Sequence, residues 1–172
     1  MITEYTLDEI NMIEEIKIRL ATNNDIPYLM ELLIYIAKLH HDGRPDIFKD
    51  KGSSKYCEED LQKILSDEKT PVFVAADSTE RVLGYAFCVV KETKNNILLH
   101  DRKVLYLDDL CVNPDIRGRG IGRKLMEKVQ SHAQEIGAGS IELNVWDFNK
   151  SAIEFYKHCG FSVLKSTMEL DV

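Results

Sequence analysis

The chain has 172 residues, 44% of them hydrophobic and 30% charged, and 22 Lys and Arg against 29 Asp and Glu give a formal net charge of −7. This length favours one domain, and the composition excludes a collagen-like, low-complexity or largely disordered chain. The acidic balance argues against a general nucleic-acid binder, which would carry an excess of positive charge.

The amino-terminal half of the chain alternates between strand and helix patterns. Residues 1–15 carry five acidic and no basic residues, so we expect an acidic extension there, followed by one domain over residues 16–172. Residues 16–21 alternate apolar and basic side chains, as a strand does. Apolar residues at helical spacing are found at 26–40 and again at 55–67. The stretch between them, 41–54, is rich in turn formers and is predicted to be a lid or binding loop.

The carboxy-terminal half supplies most of the predicted sheet. Strand-like runs occupy residues 72–76, 82–90, 104–112, 141–145 and 161–170. The turn formers at 77–80 join the first two runs as a hairpin. A helix is expected over 121–136, ended by Gly137, and a shorter one over 149–158, closed by Gly160. This order describes a mixed α/β domain whose later half contains a β-α-β unit.

Three further features favour a cytoplasmic protein. The longest uncharged apolar stretch covers residues 82–90, whereas a membrane-spanning helix needs about 20 residues. The first fifteen residues are acidic, whereas a secretory signal peptide begins with basic residues. The four cysteines are widely spaced, as in proteins of a reducing compartment, and form no Cys-x-x-Cys pair. We therefore expect no membrane partner, no nucleic-acid partner and no metal.

A glycine-rich loop, Arg117-Gly-Arg-Gly-Ile-Gly122, follows the strand predicted at 104–112 and opens the next helix. Glycines let the backbone approach a ligand and turn successive N–H groups toward it, and the positive end of the helix dipole attracts anions. The basic side chains of this region are Arg117, Arg119, Arg123 and Lys124. The loop matches neither the Walker loop nor the dinucleotide fingerprint. It predicts a phosphate or pyrophosphate site, and a tight turn without a ligand is the structural alternative.

The loop also matches the Arg/Gln-x-x-Gly-x-Gly/Ala signature of the GNAT superfamily of acetyl-CoA-dependent N-acetyltransferases. Downstream, Leu143-Asn-Val-Trp-Asp-Phe-Asn149 and Ala152-Ile-Glu-Phe-Tyr-Lys-His-Cys-Gly-Phe161 resemble the family's Asn…Ala…Phe-Tyr…Gly-Phe block. The chain is similar to the family over about residues 16–170, most closely over 105–161. The resemblance implies a mixed α/β fold with a largely antiparallel sheet and a β-α-β cofactor unit. A homodimer is a further expectation from the family.

The resemblance implies a set of positions for the cosubstrate acetyl-CoA. In the family, a strand backbone pairs with the pantetheine arm, and that role falls here to Leu110, Cys111 and Val112. The pyrophosphate is expected against the N–H groups of Arg117, Gly118, Arg119, Gly120, Ile121, Gly122 and Arg123. Asn149 matches the family's cofactor-contacting Asn. The Cys111 thiol could carry an acyl group, but without a His nearby in sequence we expect a buried, inert thiol.

Three residues are candidates for the catalytic steps. Tyr156 matches the family's tyrosine near the thioester sulfur and would protonate the leaving thiolate, although it could also be a packing residue. Asp108 and Asp109 are candidate bases for the acceptor amine, and strand alternation predicts that they lie on opposite faces. Asp108 is ranked first, because several family members carry Glu at its position. Binding of a cationic substrate or of neighbouring backbone is the alternative role for each.

We expect the acceptor to be a primary amine of a small molecule, acetylated by direct attack in a ternary complex, with the loop at 41–54 helping to select it. Acetylation of a protein N-terminus or lysine is the alternative within enzymes. A non-catalytic acyl-CoA-binding sensor is the alternative from another class. Trp146 and Phe148 either line the acceptor pocket or pack against the domain. The run His40-His41-Asp42 resembles a metal cluster in composition alone.

Overall fold

Five strands and four α-helices occur in the part of the chain that the computed structural model describes, residues 16–50, 52 and 54–172. The predicted acidic extension at 1–15 lies outside these described residues. The strands are β1 (Lys17–Leu20), β2 (Val72–Ala76), β3 (Val82–Thr93), β4 (Arg102–Val112) and β5 (Ser140–Leu143). The helices are α1 (Ile26–Gly43), α2 (Glu58–Ser66), α3 (Ile121–Glu135) and α4 (Lys150–His158). The predicted mixed α/β architecture is confirmed.

The strands form one sheet in the order β1-β2-β3-β4-β5. Neighbouring strands are antiparallel except for β4 and β5, which run parallel and are connected through α3. The predicted hairpin between β2 and β3 is present, and Asp77 Oδ1 stabilises its turn by accepting hydrogen bonds from the N–H groups of Thr79 and Arg81. The largely antiparallel sheet with its β-α-β unit is therefore as the resemblance implied.

Helices cover both faces of the sheet because each has one apolar stripe at helical spacing. On the first face, α1 and α2 bury Leu29, Leu33 and Leu61 in a core that we call the α1-side core. On the second face, α3 buries Leu125 and Val129 in the α3-side core. Within the described residues, no helix has both the length and the apolar character needed to cross a bilayer.

A β-bulge interrupts the pairing of β3 with β4. Phe87 is the partner of Asp109, and Cys88, the next residue on β3, is the partner of Leu107. Asp108 is therefore an extra residue without a partner across the ladder. An extra residue reverses the alternation of side chains beyond it, so Leu107 packs in the α3-side core while Cys111 packs in the α1-side core.

The bulge places both carboxylates on one face of the sheet. The side chain of Asp108 contacts Tyr56, which packs against the α1-side core, and Asp109 contacts Tyr85, which belongs to that core. Leu110 lies on the other face, against the α3-side core. The prediction that the two aspartates lie on opposite faces is wrong, because regular alternation does not survive an inserted residue.

The last predicted strand, at 161–170, is not formed. Phe161 packs against the α3-side core, but residues 161–172 adopt neither strand nor helix, and 162–172 are exposed. A strand needs a neighbour for its backbone hydrogen bonds, and β5 pairs with β4 alone among the described residues. The segment therefore has the apolar pattern of a strand, but it pairs with no neighbouring strand among the described residues.

A buried ion pair connects β1 to the start of α1. Asp25 is 2% exposed and accepts two hydrogen bonds from the Arg19 guanidinium, at 2.8 and 2.9 Å. The backbone N–H and the hydroxyl of Thr22 also donate to Asp25 Oδ2. Burial alone would raise the pKa of Asp25, but the hydrogen bonds from Arg19 and Thr22 outweigh it, and the pKa is lowered. The pair thus holds a charged carboxylate inside the fold.

Replacing the cation of this pair is expected to destabilise the fold strongly. Arg19→Met leaves the Asp25 carboxylate buried without a counter-charge, which typically lowers the free energy of unfolding by about 3–5 kcal/mol. Urea unfolding at neutral pH measures the loss. Glu80→Gln is the control, because it removes only the pair of Arg19 with the exposed Glu80, for which about 0.2–1 kcal/mol is expected. Equal losses in the two variants would contradict this role for Asp25.

Candidate active site

Strands β4 and β5 pair over their first residues and then separate. Their ladder runs from Val104 opposite Ser140 to Leu107 opposite Leu143, where β5 ends, while β4 continues to Val112. Among the described residues, no strand lies beside the last part of β4 on this side. An extended ligand arm can therefore add to β4 as a further strand. This open edge lies at the three residues predicted to meet the pantetheine arm, Leu110, Cys111 and Val112.

The glycine-rich loop leads from β4 into the amino end of α3. Gly118 and Gly120 have φ values of 80° and 76°, a conformation that favours glycine, and a Cβ at either position would meet nothing within 4 Å. The space in front of the loop is therefore open. Ile121 differs from its neighbours, since its side chain is buried in the α3-side core and only its backbone can face a ligand. The first N–H groups of α3 have no partner within the helix, so this end suits a pyrophosphate.

The side chains around the loop are held by protein contacts. The Arg117 guanidinium lies 5.4 Å from the ring centre of Tyr35 in α1, and its Nε donates to the carbonyl of Val112 at 3.3 Å. Arg123 forms an ion pair with Glu127, one helical turn further along α3. Arg117 and Arg123 therefore have partners within the protein, and their contact with a pyrophosphate stays a prediction.

Asn149 has a structural role in the described structure. Its Oδ1 accepts a hydrogen bond from the N–H of Ala152 at 3.2 Å and one from the Ser151 hydroxyl, so it caps the amino end of α4. This contact fixes the start of the helix that carries Tyr156. The contact between Asn149 and the cofactor stays a prediction.

Asp109 is a buried carboxylate whose pKa is raised. The Tyr85 hydroxyl donates to its Oδ2 at 2.8 Å, and burial raises the pKa of Asp109 to about 6. Burial also raises the pKa of Tyr85, which therefore stays protonated and can only donate to the carboxylate at neutral pH. A carboxylate with such a pKa is ionised at neutral pH and gains a proton more readily than an exposed one.

Asp108 is held in an ion pair instead. Its Oδ2 lies 2.6 Å from Lys55 Nζ and 3.1 Å from the Tyr56 hydroxyl. Burial alone would lower the pKa of Lys55, but the hydrogen bond to Asp108 outweighs it, and the pKa is raised. The lysine therefore stays charged and neutralises the carboxylate. Lys55, Tyr56 and Tyr85 were missed as site residues, because their link to the aspartates is made across the sheet rather than along the sequence.

Tyr156 lies on α4 and packs against the α3-side core. Its ring packs edge-on against Phe155 and Phe161, with centroids 5.3 and 5.7 Å away. Burial raises the pKa of Tyr156, and the negative charge of Asp109 raises it further, so the two groups lie close enough to interact. The hydroxyl is protonated at neutral pH, as a proton donor must be.

The Cys111 thiol is buried in the α1-side core. Burial raises its pKa to about 12, and its Sγ lies 3.9 Å from the carbonyl of Leu32. A buried thiol with a raised pKa is a poor nucleophile. The burial of Cys111 agrees with the expectation of a buried thiol.

Four rings pack against one another, and we call them the aromatic cluster: His40, Phe48, Trp146 and Phe148. His40 stacks on Phe48 at 5.1 Å, Phe48 meets Trp146 edge-on at 5.3 Å, and Trp146 stacks on Phe148 at 6.1 Å. A Cβ at Gly43 would lie 2.3 Å from the Phe148 ring, so the end of α1 can approach that ring only because residue 43 is glycine. The cluster joins the loop after α1 to the chain that follows β5.

One member of the aromatic cluster, His40, is affected by the charge of Lys55. Burial lowers the pKa of His40, and the charge of Lys55 lowers it further, so His40 is neutral at physiological pH and close enough to Lys55 to be affected. His41 Nδ1 is bound to the carbonyl of Phe48 at 2.7 Å. Within the described residues, no three His, Cys, Asp or Glu side chains are grouped as a metal site requires.

The chain is similar in sequence to known acetyltransferases. The model of the acetyltransferase (GNAT) family matches residues 33–161. An uncharacterized N-acetyltransferase from Methanocaldococcus jannaschii is 30% identical over 151 residues, which is 88% of this chain and 62% of that protein. A thialysine N-epsilon-acetyltransferase from Sus scrofa is 43% identical over 56 residues, which is 33% of each chain. The match to the first relative thus spans about three fifths of that protein's length, and the match to the second spans about a third of that protein's length.

One solved structure superimposes on this chain over almost the whole length of both. The crystal structure of a mutant of the BH1408 protein from Bacillus halodurans superimposes with a TM-score of 0.87 at 33% sequence identity, covering 91% of this chain and 99% of that one. The family match spans the open edge of β4, the glycine-rich loop, Tyr156 and both aspartates. The chain belongs to the GNAT family of acetyltransferases.

Proposed function

We propose that this chain transfers the acetyl group of acetyl-CoA to a primary amine of a small molecule, by direct attack within a ternary complex. The open edge of β4 and the glycine-rich loop support acetyl-CoA as donor, since they offer a strand partner to an extended arm and N–H groups to a pyrophosphate. Acetyl-CoA supplies a thioester, whose acetyl group is already activated for attack by an amine.

Asp109 is the group we propose to accept the proton of the amine. An alkyl amine has a pKa of about 10.4 and is mostly protonated at neutral pH, so it must lose a proton before it attacks. Asp109, with its pKa raised to about 6, is ionised there and lies on the same face as Asp108. Asp108 is the weaker candidate, because its carboxylate is already paired with Lys55.

Tyr156 is the group we propose to protonate the leaving sulfur. As the new N–C bond forms and the C–S bond breaks, the sulfur gains the electron pair and takes the proton of the Tyr156 hydroxyl. Its raised pKa keeps that proton in place until it is needed. A backbone N–H near Val112 is proposed to donate to the carbonyl oxygen as negative charge develops on it.

The aromatic cluster is the observation that carries the choice of a small acceptor. Its ring contacts bridge the end of α1 with its following loop and the residues after β5, and the charge of Lys55 acts on the pKa of His40 in this cluster. A peptide would need an open groove at this place, whereas a small amine needs an enclosed pocket. The relative from Sus scrofa is named for the acetylation of thialysine, a small amine.

An amine panel that follows release of the CoA thiol tests this proposal. The panel contains diamines, polyamines, amino acids with a side-chain amine, aminoglycosides and lysine peptides, and we expect turnover with a small amine. Turnover with peptides alone would overturn the small-molecule assignment. No thiol release from any amine, with acetyl-CoA still bound in calorimetry, would instead favour the non-catalytic sensor.

The aromatic cluster is expected to determine affinity for the acceptor. Trp146→Ala removes a ring that contacts both Phe48 and Phe148, and we expect the KM for the amine to rise about tenfold, the equivalent of about 1.4 kcal/mol. The KM for acetyl-CoA is expected to stay within twofold. Val145→Ala is the matched control, since Val145 is the adjacent residue and is equally exposed, at 38% against 37%. An equal rise of the amine KM in this control would contradict the assignment.

The glycine-rich loop is expected to determine affinity for acetyl-CoA. In Gly120→Ala the new side chain meets no atom within 4 Å, but the φ of 76° is unfavourable for alanine by about 1–2 kcal/mol. The strain is expected to displace the N–H groups of the loop and to raise the KM for acetyl-CoA about tenfold. Gly137→Ala is the control, because Gly137 follows the other end of α3 with a φ of 67° and is as open. It should lose similar stability with an unchanged KM, so equal KM values in the two variants would contradict the prediction.

A further inference from the structure

The bulge in β4 brings two carboxylates onto one face of the sheet. In a regular strand, neighbouring side chains point to opposite faces, but Asp108 and Asp109 both contact tyrosines on the side of α1. Burial raises the pKa of Asp109, and the negative charge of Asp108 raises it further, since like charges repel. A base that is ionised at neutral pH therefore needs a positive charge that balances Asp108.

Lys55 supplies this positive charge from another part of the chain. It lies three residues before α2, and its Nζ is 2.6 Å from Asp108 Oδ2. Against the burial that raises the pKa of Asp109, the charge of Lys55 lowers it. Lys55 and Asp108 thus act on Asp109 in opposite directions, and each offsets the other as long as the ion pair is intact.

Contacts on both sides of Lys55 fix its position. The Ser54 hydroxyl accepts a hydrogen bond from the N–H of Tyr56 at 3.1 Å and donates to the carbonyl of Tyr56 at 2.6 Å. The Tyr56 hydroxyl donates to Asp108 Oδ2, the oxygen that also meets Lys55, and the Tyr56 ring packs 5.9 Å from the ring of Phe87. These contacts hold the ammonium at Asp108, although half of the lysine side chain is exposed.

The other titratable groups around Asp109 carry no positive charge. The groups that face it are Tyr85 on β3, Asp108 and Cys111 on β4, Tyr156 on α4, and Lys55 before α2. Burial raises the pKa of Tyr85, Tyr156 and Cys111, and the negative charge of Asp109 raises each pKa further. These three groups are therefore neutral at physiological pH. Of this set, Lys55 is the group whose charge stabilises an ionised Asp109.

We propose that Lys55 is a positioning residue for the base: its ion pair with Asp108 balances the charge beside Asp109 and so keeps Asp109 ready to accept the proton of the amine. The proposal rests on the proposed function, in which Asp109 is that base. Lys55 itself transfers no proton and touches no reacting atom in this account. Its effect reaches the reaction through the two neighbouring carboxylates.

Carbon-13 NMR titration of the Asp109 carboxyl group tests this role on the full chain without substrate, with the resonance assigned by its loss in Asp109→Asn. We expect a midpoint near pH 6 in the wild type and a midpoint about 1 pH unit higher in Lys55→Met, because a nearby positive charge is lost. Lys55→Arg keeps the charge and should keep the wild-type midpoint. Lys63→Met is the matched control, because Lys63 is an exposed lysine on α2. A midpoint in Lys55→Met equal to that of the wild type would overturn the proposal.

A double variant tests whether Lys55 acts by balancing Asp108. In Lys55→Met with Asp108→Asn, both opposing charges are absent, so the midpoint of Asp109 should return to within about 0.5 pH unit of the wild type. A purely structural role for Lys55 predicts instead that the second substitution adds to the damage of the first. A midpoint that stays raised in the double variant would overturn the proposal.

The pH profile of CoA release then separates this inference from the proposed function. For Lys55→Met we expect kcat/KM to be about fivefold lower than in the wild type at pH 6 but within about twofold of it at pH 9, where Asp109 is ionised in both. A loss that is equal at both pH values would overturn the proposal, since it would show a structural role for Lys55. If the NMR midpoint moves while the pH profile does not, Lys55 acts on Asp109 as inferred, and the assignment of Asp109 as the base is the part that fails.

Discussion

Asp109→Asn is expected to lower kcat by about 10²- to 10⁴-fold, the range typical for loss of a general base. The carboxylate accepts a hydrogen bond from Tyr85, and burial raises its pKa to about 6. In the wild type, kcat/KM should therefore fall as the pH drops below about 6, because the protonated carboxyl can no longer accept a proton. The substitution should remove this acidic limb. A pH profile of CoA release between pH 5 and 9 measures both effects.

The neighbouring carboxylate provides the control for this experiment. Asp108→Asn removes a charge one residue away that is already paired with Lys55, and we expect kcat to change by less than about tenfold. The acidic limb near pH 6 should remain. If instead Asp108→Asn lost the limb and Asp109→Asn kept it, Asp108 would be the base, as the sequence alone ranked it.

Measuring the free energy of unfolding shows whether Asp109→Asn loses catalytic activity alone or also loses its fold. Because the folded state raises the pKa of Asp109 from 3.8 to about 6, the fold disfavours the charged form, and stability falls as the pH rises from about 4 to 6. This difference corresponds to at most about 3 kcal/mol. Asp109→Asn has no such penalty, so its free energy of unfolding should exceed that of the wild type at pH 8 but not at pH 4. A variant that is inactive and unstable at pH 8 would contradict this account.

Tyr156→Phe is expected to lower kcat by about 10²-fold or more while acetyl-CoA binding stays within twofold. The substitution keeps the ring that packs against Phe155 and Phe161, so the helix position should not change. It removes the hydroxyl that would protonate the leaving sulfur. Steady-state kinetics and calorimetric titration with acetyl-CoA measure the two quantities separately.

Another tyrosine hydroxyl serves as the control. Tyr106 lies on β4, and its hydroxyl accepts a hydrogen bond from Asn144 at 2.9 Å. Tyr106→Phe should change kcat by less than about threefold, because this residue is assigned no proton transfer. Unchanged turnover in Tyr156→Phe would show that Tyr156 is a packing residue and would remove it from the mechanism.

The features that could be predicted from sequence depend on short stretches of chain. Glycines with positive φ, the start of a helix and apolar residues at helical spacing are local properties, so the loop at Gly118 and Gly120 and most helices lie where expected. The family motifs are local too, which explains why they located Tyr156 and β4. The segment at 161–170 has the pattern of a strand but does not form one. A pattern along the sequence does not show whether a neighbouring strand is available for pairing.

The sequence by itself thus determined the family, and it predicted the glycine-rich loop as an anion site and named three candidate catalytic residues. Only the tertiary structure showed that the two aspartates have different environments. The bulge at Asp108 arises from the pairing of β3 with β4, the partner of Asp108 is Lys55, and the raised pKa of Asp109 comes from burial. The aromatic cluster likewise joins residues about one hundred positions apart. Each of these features depends on contacts between distant parts of the chain, and a local pattern carries no information about such contacts.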